Sequence, residues 1–479
     1  MKQLRPHQEK SITRLRASLG EGKRRPLLQL PTGAGKTFVA ANIIRMARGK
    51  GNRVCFCVPA ISLIDQTVRE FHAEGITEIG VIQADHPMRD WSKPVQVASI
   101  QTLQSRGAPE FDLVIVDEAH KQFKIIKQWM ALGNPFIGLS ATPWSKGLGK
   151  LYDDLIIGCT MRELIDEGYL SDYRVYAPSH PDLSSVKKTA GDYNQKQLGD
   201  VMNEKRLVAD VTSTWLKLGD GRPTLCFAVD RAHAKALQEQ FQAHGVGAGY
   251  IDAHTDLVER EYIEGQLSRG EIQVVCNVGC LTTGVDWDVR CIILARPTHS
   301  QMLFVQMIGR GLRTADGKDD CLILDHADNH ARLGFASDIY HETLDGGPAG
   351  ESRKVEKKEP LPKECAKCSF VKPAKVHECP ACGFAPERTS QIEMEDGDLV
   401  EVRASKAKPK PEQKFRFYCE MLGYAKAKGK TEKYALAIFR SRYNEWPYNK
   451  NKARPLPPSS ETVGYVRSRN IAWAKRRVA

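Results

Sequence analysis

Three groups of residues in this 479-residue chain have types and spacings suited to chemistry. The first is LPTGAGKT at 30–37, which follows a short apolar run and opens a helical stretch, FVAANIIRMA. Glycine in such a turn lets backbone N–H groups converge on a phosphate, and the N-terminus of the next helix adds a favourable dipole. Thr32, Gly33, Ala34 and Gly35 would form the cradle. Lys36 would neutralise the outer phosphates of a nucleotide, and the Thr37 hydroxyl would reach Mg²⁺. The strict phosphate-loop pattern asks for Gly at position 30, where this chain has Leu30.

The second group is VDEAH at 116–120, closing the apolar run FDLVIVD. Two acids at the end of a strand suit a nucleotide-hydrolysing site. Asp117 would hold Mg²⁺, and Glu118 would position or deprotonate the attacking water. The third group is Cys365-x2-Cys368, ten residues, then Cys379-x2-Cys382. Two such turns aim four thiolates at one ion, which predicts a structural Zn²⁺ site with every position filled by protein. His377 lies close in sequence and reads as a bystander.

The elements that must position these groups can be read from the pattern. RPLLQL, RVCFCVP, VQVASI, FDLVIVD and PFIGLSA, all before residue 150, are short branched or aliphatic runs separated by amphipathic stretches. That alternation predicts a parallel α/β sheet. It restarts near residue 205 with PTLCFAV, GAGYID, IQVVCNV, CIILARP and CLILDH. The fold class is therefore α/β, with two tandem parallel-sheet lobes. The expected division is lobe 1 at 1–179, a linker or insertion at 180–204, and lobe 2 at 205–340. A linker at 341–361, the four-cysteine module at 362–388 and a second linker at 389–412 follow, and a basic, mainly helical region occupies 413–479.

With PTGAGKT and DEAH in this order, the chain resembles the superfamily-two DEAD/DEAH-box helicases, and the lobes are then expected to be RecA-like. LRPHQ at 4–8 resembles the family's adenine motif, which implies that Arg5 packs on the base and Gln8 hydrogen-bonds its edge. SAT at 140–142 resembles the motif that couples hydrolysis to strand binding, assigning that role to Ser140 and Thr142, with His120 of the DEAH motif. TTGVDWD at 282–288 resembles the fifth motif, placing Gly284 and Asp286 near the ribose and the lobe interface. QMIGRGLR at 306–313 resembles the sixth. Gln306, Arg310 and Arg313 would then serve catalysis, the arginines reaching the γ-phosphate from the second lobe. VPAISLIDQ and SIQTL resemble strand-contacting motifs, which implies Pro59, Ala60, Gln101 and Thr102 along a nucleic-acid path in lobe 1, with Thr282 and Thr283 in lobe 2. The resemblance spans about residues 1–335. Within the superfamily the chain looks most like the bacterial and phage RadD-like group, linked to DNA repair and recombination, and it also resembles XPB-like and restriction-type motors.

The net charge of +12 is concentrated at the end. From Arg403 onward there are 20 Lys and Arg against five Glu and no Asp. A near-neutral body with a basic tail points to a polyanion, although a solvated tail is the plain alternative. The tail's Leu436, Ile438 and Phe439 read as the core of a small helical domain, with some exposed Lys and Arg left for nucleic acid. No apolar run is long enough to span a bilayer, and the start is polar, so the expectation is a cytoplasmic protein with no membrane partner. Thirteen cysteines, mostly single within apolar runs, read as reduced thiols. The expected function is an ATP-dependent DNA helicase or translocase using ATP, Mg²⁺ and structural Zn²⁺. The alternatives are an RNA helicase or an ATP-dependent clamp that does not unwind. Protein partners would dock through the zinc module or basic tail.

Overall fold

The structure is a computed structural model. It describes residues 3–347, 361–385, 411–459, 462 and 465–466, apart from 84, 108, 178–180, 182, 184–185, 190–191, 204, 283–285, 375 and 444. Residues up to 388 form one compact unit and the remainder another.

The first sheet has seven parallel strands: β1 (Pro26–Gln29), β2 (Val54–Val58), β3 (Ile79–Ile82), β4 (Val95–Ser99), β5 (Leu113–Val116), β6 (Phe136–Ser140) and β7 (Asp154–Ile157). Their spatial order is β3-β4-β2-β5-β6-β1-β7. The central strands are buried on both faces. In β2, Val54, Phe56 and Val58 pack on one side while Cys55 and Cys57 pack on the other. This explains why the strands read as continuous apolar runs and not as alternating ones. The expected strands all form, and β3 and β7 are additional.

Because every pairing is parallel, the C-terminal ends of the strands share one edge, where ligands of open α/β sheets bind. The phosphate loop leaves β1, the DEAH residues leave β5 and SAT leaves β6. These three strands lie side by side in the order β5-β6-β1. Pro59 and Ala60 leave β2, and Gln101 and Thr102 leave β4, on the other side of β5.

The second sheet contains β8 (Asp172–Tyr176), β11 (Thr224–Phe227), β12 (Ala248–Ile251), β13 (Val274–Asn277), β14 (Cys291–Leu294) and β15 (Asp320–Asp325), in the order β12-β13-β11-β14-β15-β8. Strand β8 falls inside the stretch 1–179 expected for lobe 1, yet it pairs in parallel with β15. The first sheet therefore ends at β7, and the chain crosses to the second lobe before residue 172. The reason is a partner: β15 offers an open edge, and Asp320 also receives Arg174 and Arg222. The stretch expected as an irregular linker contains a short antiparallel hairpin, β9 (Lys188–Thr189) with β10 (Asp192–Tyr193), and a helix, Gln195–Met202. Asp192 anchors the hairpin by accepting from Thr298 Oγ1 at 2.6 Å and from the His299 N–H at 2.6 Å.

The cysteine module is built on a two-strand ribbon, β16 (Lys363–Glu364) with β17 (Val371–Lys372). It docks on the second sheet, where the Ala177 N–H donates to the Ser369 carbonyl and Tyr176 packs edge-on against Phe370. In the second unit, helices Pro411–Ala427 and Glu432–Tyr443 enclose Phe417, Tyr418, Met421, Ala435, Ile438 and Phe439. Ile438 and Phe439 are core residues as expected, and Leu436 is only partly buried against them. Among the described residues no helix is long and apolar enough to cross a membrane.

Candidate active site

A cleft of about 600 Å³ opens between the two lobes, lined by Arg5, Gln8, Thr32, Gly33, Gly35, Lys36 and Thr37 from one side and Asp286, Arg310 and Arg313 from the other. Gly33 and Gly35 adopt φ of 85° and 80°, the left-handed region that glycine enters without cost. Space demands glycine as well: a Cβ on Gly35 would lie 2.5 Å from Gln8 Nε2. Gly35 caps the helix Lys36–Arg48, so the loop delivers Lys36 and Thr37 in its first turn.

The N-terminal helix Pro6–Gly20 is fastened to this loop. Gln8 Nε2 donates to the Ala34 carbonyl at 2.9 Å, and Gln8 Oε1 accepts from the Arg5 N–H at 2.9 Å. Each end of the amide keeps one further hydrogen-bonding position. The Arg5 guanidinium stacks 4.7 Å from the Tyr169 ring centre. Tyr169 and Leu170 also line the cleft. The sequence pattern does not single them out, since only folding brings them beside Arg5 and the loop.

Across from the loop, Glu118 is buried and left-handed at φ 48°, a conformation that costs a residue with a Cβ about 1–2 kcal/mol. Strain of this kind persists where the surroundings over-determine it. Here it holds the carboxylate in the cleft. Asp117 Oδ1 is buried with no hydrogen-bond partner. Burial, and then the charge of Glu118, raise the Asp117 carboxyl to about 7. Lys36 is half-buried in the cleft, and desolvation lowers its pKa against the pull of Glu118 and Asp117. An unpartnered carboxylate oxygen, the Thr37 hydroxyl lining the same cleft and a half-buried lysine fit Mg²⁺ with a polyphosphate. The cation would take the Asp117 oxygen, and the phosphates would satisfy Lys36.

A polar chain runs from the acids into the second lobe. Glu118 Oε2 lies 3.3 Å from His120 Nδ1, which lies 2.9 Å from Ser140 Oγ. Burial lowers the His120 pKa, against the opposing pull of Glu118. Ser140 Oγ accepts from the Thr142 N–H at 3.1 Å, and Thr142 Oγ1 accepts from Gln306 Nε2 at 3.0 Å. His120, Ser140 and Thr142 are thus joined to Gln306.

Gln306 lies on the helix Gln301–Gly309, whose end meets the phosphate loop. A Cβ on Gly309 would sit 3.0 Å from Thr32 Cβ, so glycine permits that approach. Arg310 follows, with 6% of its surface exposed. Burial and the nearby Arg313 lower its pKa to about 9, which leaves it charged at neutral pH. Arg313 pairs with Asp286 at the rim. The structure therefore gathers Arg5, Gln8, the loop, both acids, Asp286 and both arginines around one cleft. Gly284 and Thr283 lie outside the described residues.

The strand-path residues stand apart from this cleft. Gln101 is exposed, and Thr102, with 8% exposure, is mostly covered. Thr282 is buried, and its hydroxyl donates to the Gly279 carbonyl at 3.2 Å. In the ribbon, the sulfurs of Cys365, Cys368, Cys379 and Cys382 all lie within 4.8 Å of one another. Ser369 and Gly383 turn the two knuckles at φ 56° and 67°. Burial resists ionisation of Cys365, yet the Lys367 and Cys368 N–H groups help bring its thiol down to about 6. Four converging sulfurs fit Zn²⁺.

The model for the type III restriction enzyme res subunit matches residues 1–145, and that for the helicase conserved C-terminal domain matches residues 207–315. The chain belongs to the superfamily-two helicases. This helicase is 31% identical over 353 residues to the putative ATP-dependent helicase IRC3 of Saccharomyces cerevisiae, covering 67% of this chain and 51% of that protein. It is 29% identical over 403 residues to a 51.5 kDa protein of a Lactococcus phage, covering 81% and 85% respectively. The fold of the helicase is also similar to the ATP-dependent type ISP restriction-modification enzyme LlaBIII bound to DNA. That match has a TM-score of 0.51 and 20% identity, and it covers 67% of this chain and 27% of the other. The chain spans about half the length of its yeast relative. As a helicase it is a nucleic-acid-dependent ATPase.

Proposed function

We propose that this helicase hydrolyses ATP between its lobes and uses the cycle to translocate along DNA. The observation that carries the reading is Arg310 of lobe 2, buried in the same cleft as Lys36 and Glu118 of lobe 1. A charge supplied across an interface stabilises the transition state only when that interface is closed, which ties hydrolysis to lobe movement.

Arg5 and Tyr169 would stack on the base while Gln8 reads its edge. The loop N–H groups and Lys36 would hold the phosphates, and Asp286, which lines the cleft, would orient the ribose. Thr37 and Asp117 would hold Mg²⁺, whose charge offsets that of the polyphosphate. Glu118 would take a proton from water as that water attacks the γ-phosphorus. The bond to the bridging oxygen breaks, and ADP leaves with that oxygen. Arg310 and Arg313 would meet the charge that develops. The chain His120–Ser140–Thr142–Gln306 would report the state of the site to both lobes.

Pro59, Ala60, Gln101, Thr102 and Thr282 follow strand ends on the ligand-binding edges, where small and amide side chains suit contacts to a phosphate backbone. The restriction-enzyme family match favours DNA over RNA. The RadD-like resemblance, a role in recombination or repair, and Zn²⁺ as a structural staple of the ribbon belong to the same proposal. Its test is displacement of a labelled third strand from a DNA triplex. ATP-dependent displacement that Arg310→Ala abolishes is the expected result. Robust hydrolysis with no displacement would contradict translocation and leave the clamp.

A further inference from the structure

The C-terminal unit carries a feature that the motor does not use. Helix Glu432–Tyr443 buries Ala435, Ile438 and Phe439, but a neighbouring face bearing Lys433, Leu436, Ala437, Arg440 and Ser441 lines a shallow open groove of about 470 Å³. Trp446 closes one side, with 60% of its surface exposed. An indole this open beside a groove offers an aromatic face to a ligand.

The ring is also held in place. Glu445 is pinned to the first helix by Lys414 at 2.6 Å, Pro447 is buried, and the Arg440 guanidinium lies 4.8 Å from the indole centre. The segment beyond it wraps the first helix so closely that a Cβ on Gly423 would fall 1.8 Å from the Leu456 carbonyl oxygen. Trp446 is therefore presented by a fixed turn.

Charge selects the occupant. Residues 411–459 hold eleven Lys and Arg against four Glu, a surplus of seven. Three of those carboxylates are engaged within the unit. Glu420 meets Arg416, Ser459 and Thr462, Glu432 meets Tyr418 and Lys450, and Glu445 meets Lys414. Lys433 and Arg440 thus flank the open ring in a positive field.

We infer that Trp446, with Arg440 and Lys433, is a base-stacking site for single-stranded nucleic acid. One base lies on the open indole face, and the cations take the adjoining phosphates. The site is separate from the ATP cleft, and its base preference needs no nucleotide. It extends the DNA reading by adding a contact that distinguishes unstacked bases from duplex.

The test uses the full chain without ATP at fixed salt. Anisotropy compares oligothymidylate with an abasic oligomer of equal length, which keeps the phosphates and removes the bases. The wild type is expected to prefer oligothymidylate. Trp446→Ala should lose about 5- to 100-fold in affinity for oligothymidylate and little for the abasic strand, and Trp446→Phe should restore most of the preference. ATP turnover without nucleic acid should not change. Equal oligothymidylate binding by wild type and Trp446→Ala would overturn the inference, as would an equal loss on both strands. An acidic peptide that binds the wild type but not Trp446→Ala, with oligothymidylate binding unaltered, would also overturn it and point to a protein partner. Failure of the motor would appear instead as unstimulated hydrolysis, with the base preference intact.

Discussion

Glu118 carries the sharpest prediction at the residue scale. Its left-handed backbone and burial place a carboxylate opposite Lys36 without adding a structural bond that glutamine could not supply. Glu118→Gln should keep nucleotide binding and lose about 10²- to 10⁴-fold in turnover. Fluorescent-nucleotide titration beside steady-state hydrolysis checks this, and unchanged turnover would remove Glu118 from its role. Tyr169 is tested differently, because it would act on the base and not on the phosphates. Removing its stack with Arg5 should raise the KM for ATP by about 3- to 10-fold with a smaller change in kcat. The phosphate loop was legible in the sequence because its chemistry sits within eight consecutive residues. Tyr169 was not, because its role depends on a contact with Arg5, 164 residues earlier, that exists only in the folded chain.

Strands were legible where both faces are buried, since β2, β5 and β14 present unbroken apolar runs. β8 has a mostly exposed or half-buried pattern, DYRVY, in which only Val175 is buried, and its allegiance to the second sheet is set by β15, far along the chain. That edge also supports the cysteine ribbon. Chelating the metal, or Cys379→Ser, should therefore raise hydrogen exchange at 172–177 as well as in the ribbon, because metal binding and local folding are coupled. Unchanged protection at 172–177 would show that the docking does not depend on the ion. Helix Arg231–Ala243 gives a pH-dependent prediction. His233 Nδ1 accepts from the Val229 N–H, and burial pushes its pKa down to about 4. The unfolded chain binds this proton below about 6.5. Stability should therefore be intact above that value and fall as pH drops toward 4, by up to roughly 1.4 kcal/mol per pH unit. His233→Asn keeps an acceptor without a titrating group, so its melting temperature should fall less steeply over that range.

Across the whole molecule, the second lobe grips the segment that follows the SAT motif. Gln306 reaches Thr142, and Ser145 Oγ lies 3.6 Å from Met302 Sδ. His341 stacks 4.8 Å from Trp144 and donates to Gln301 Oε1, while Asp345 accepts from the N–H groups of Gly147 and Gly149. The stretch expected as a plain linker from 341 thus begins as a strap between lobes, invisible in a sequence whose Gly and charge suggest only a tether. His341→Ala should loosen this strap and lower stimulated turnover several-fold more than basal turnover. The most direct test of the central claim is steady-state ATP hydrolysis at fixed salt, alone and with single-stranded DNA, duplex DNA or RNA, in wild type and Arg310→Ala. The account predicts stimulation by DNA and not by RNA, and its loss in Arg310→Ala by about 10³-fold or more. DNA-stimulated hydrolysis that survives in Arg310→Ala, or stimulation by RNA alone, would contradict it.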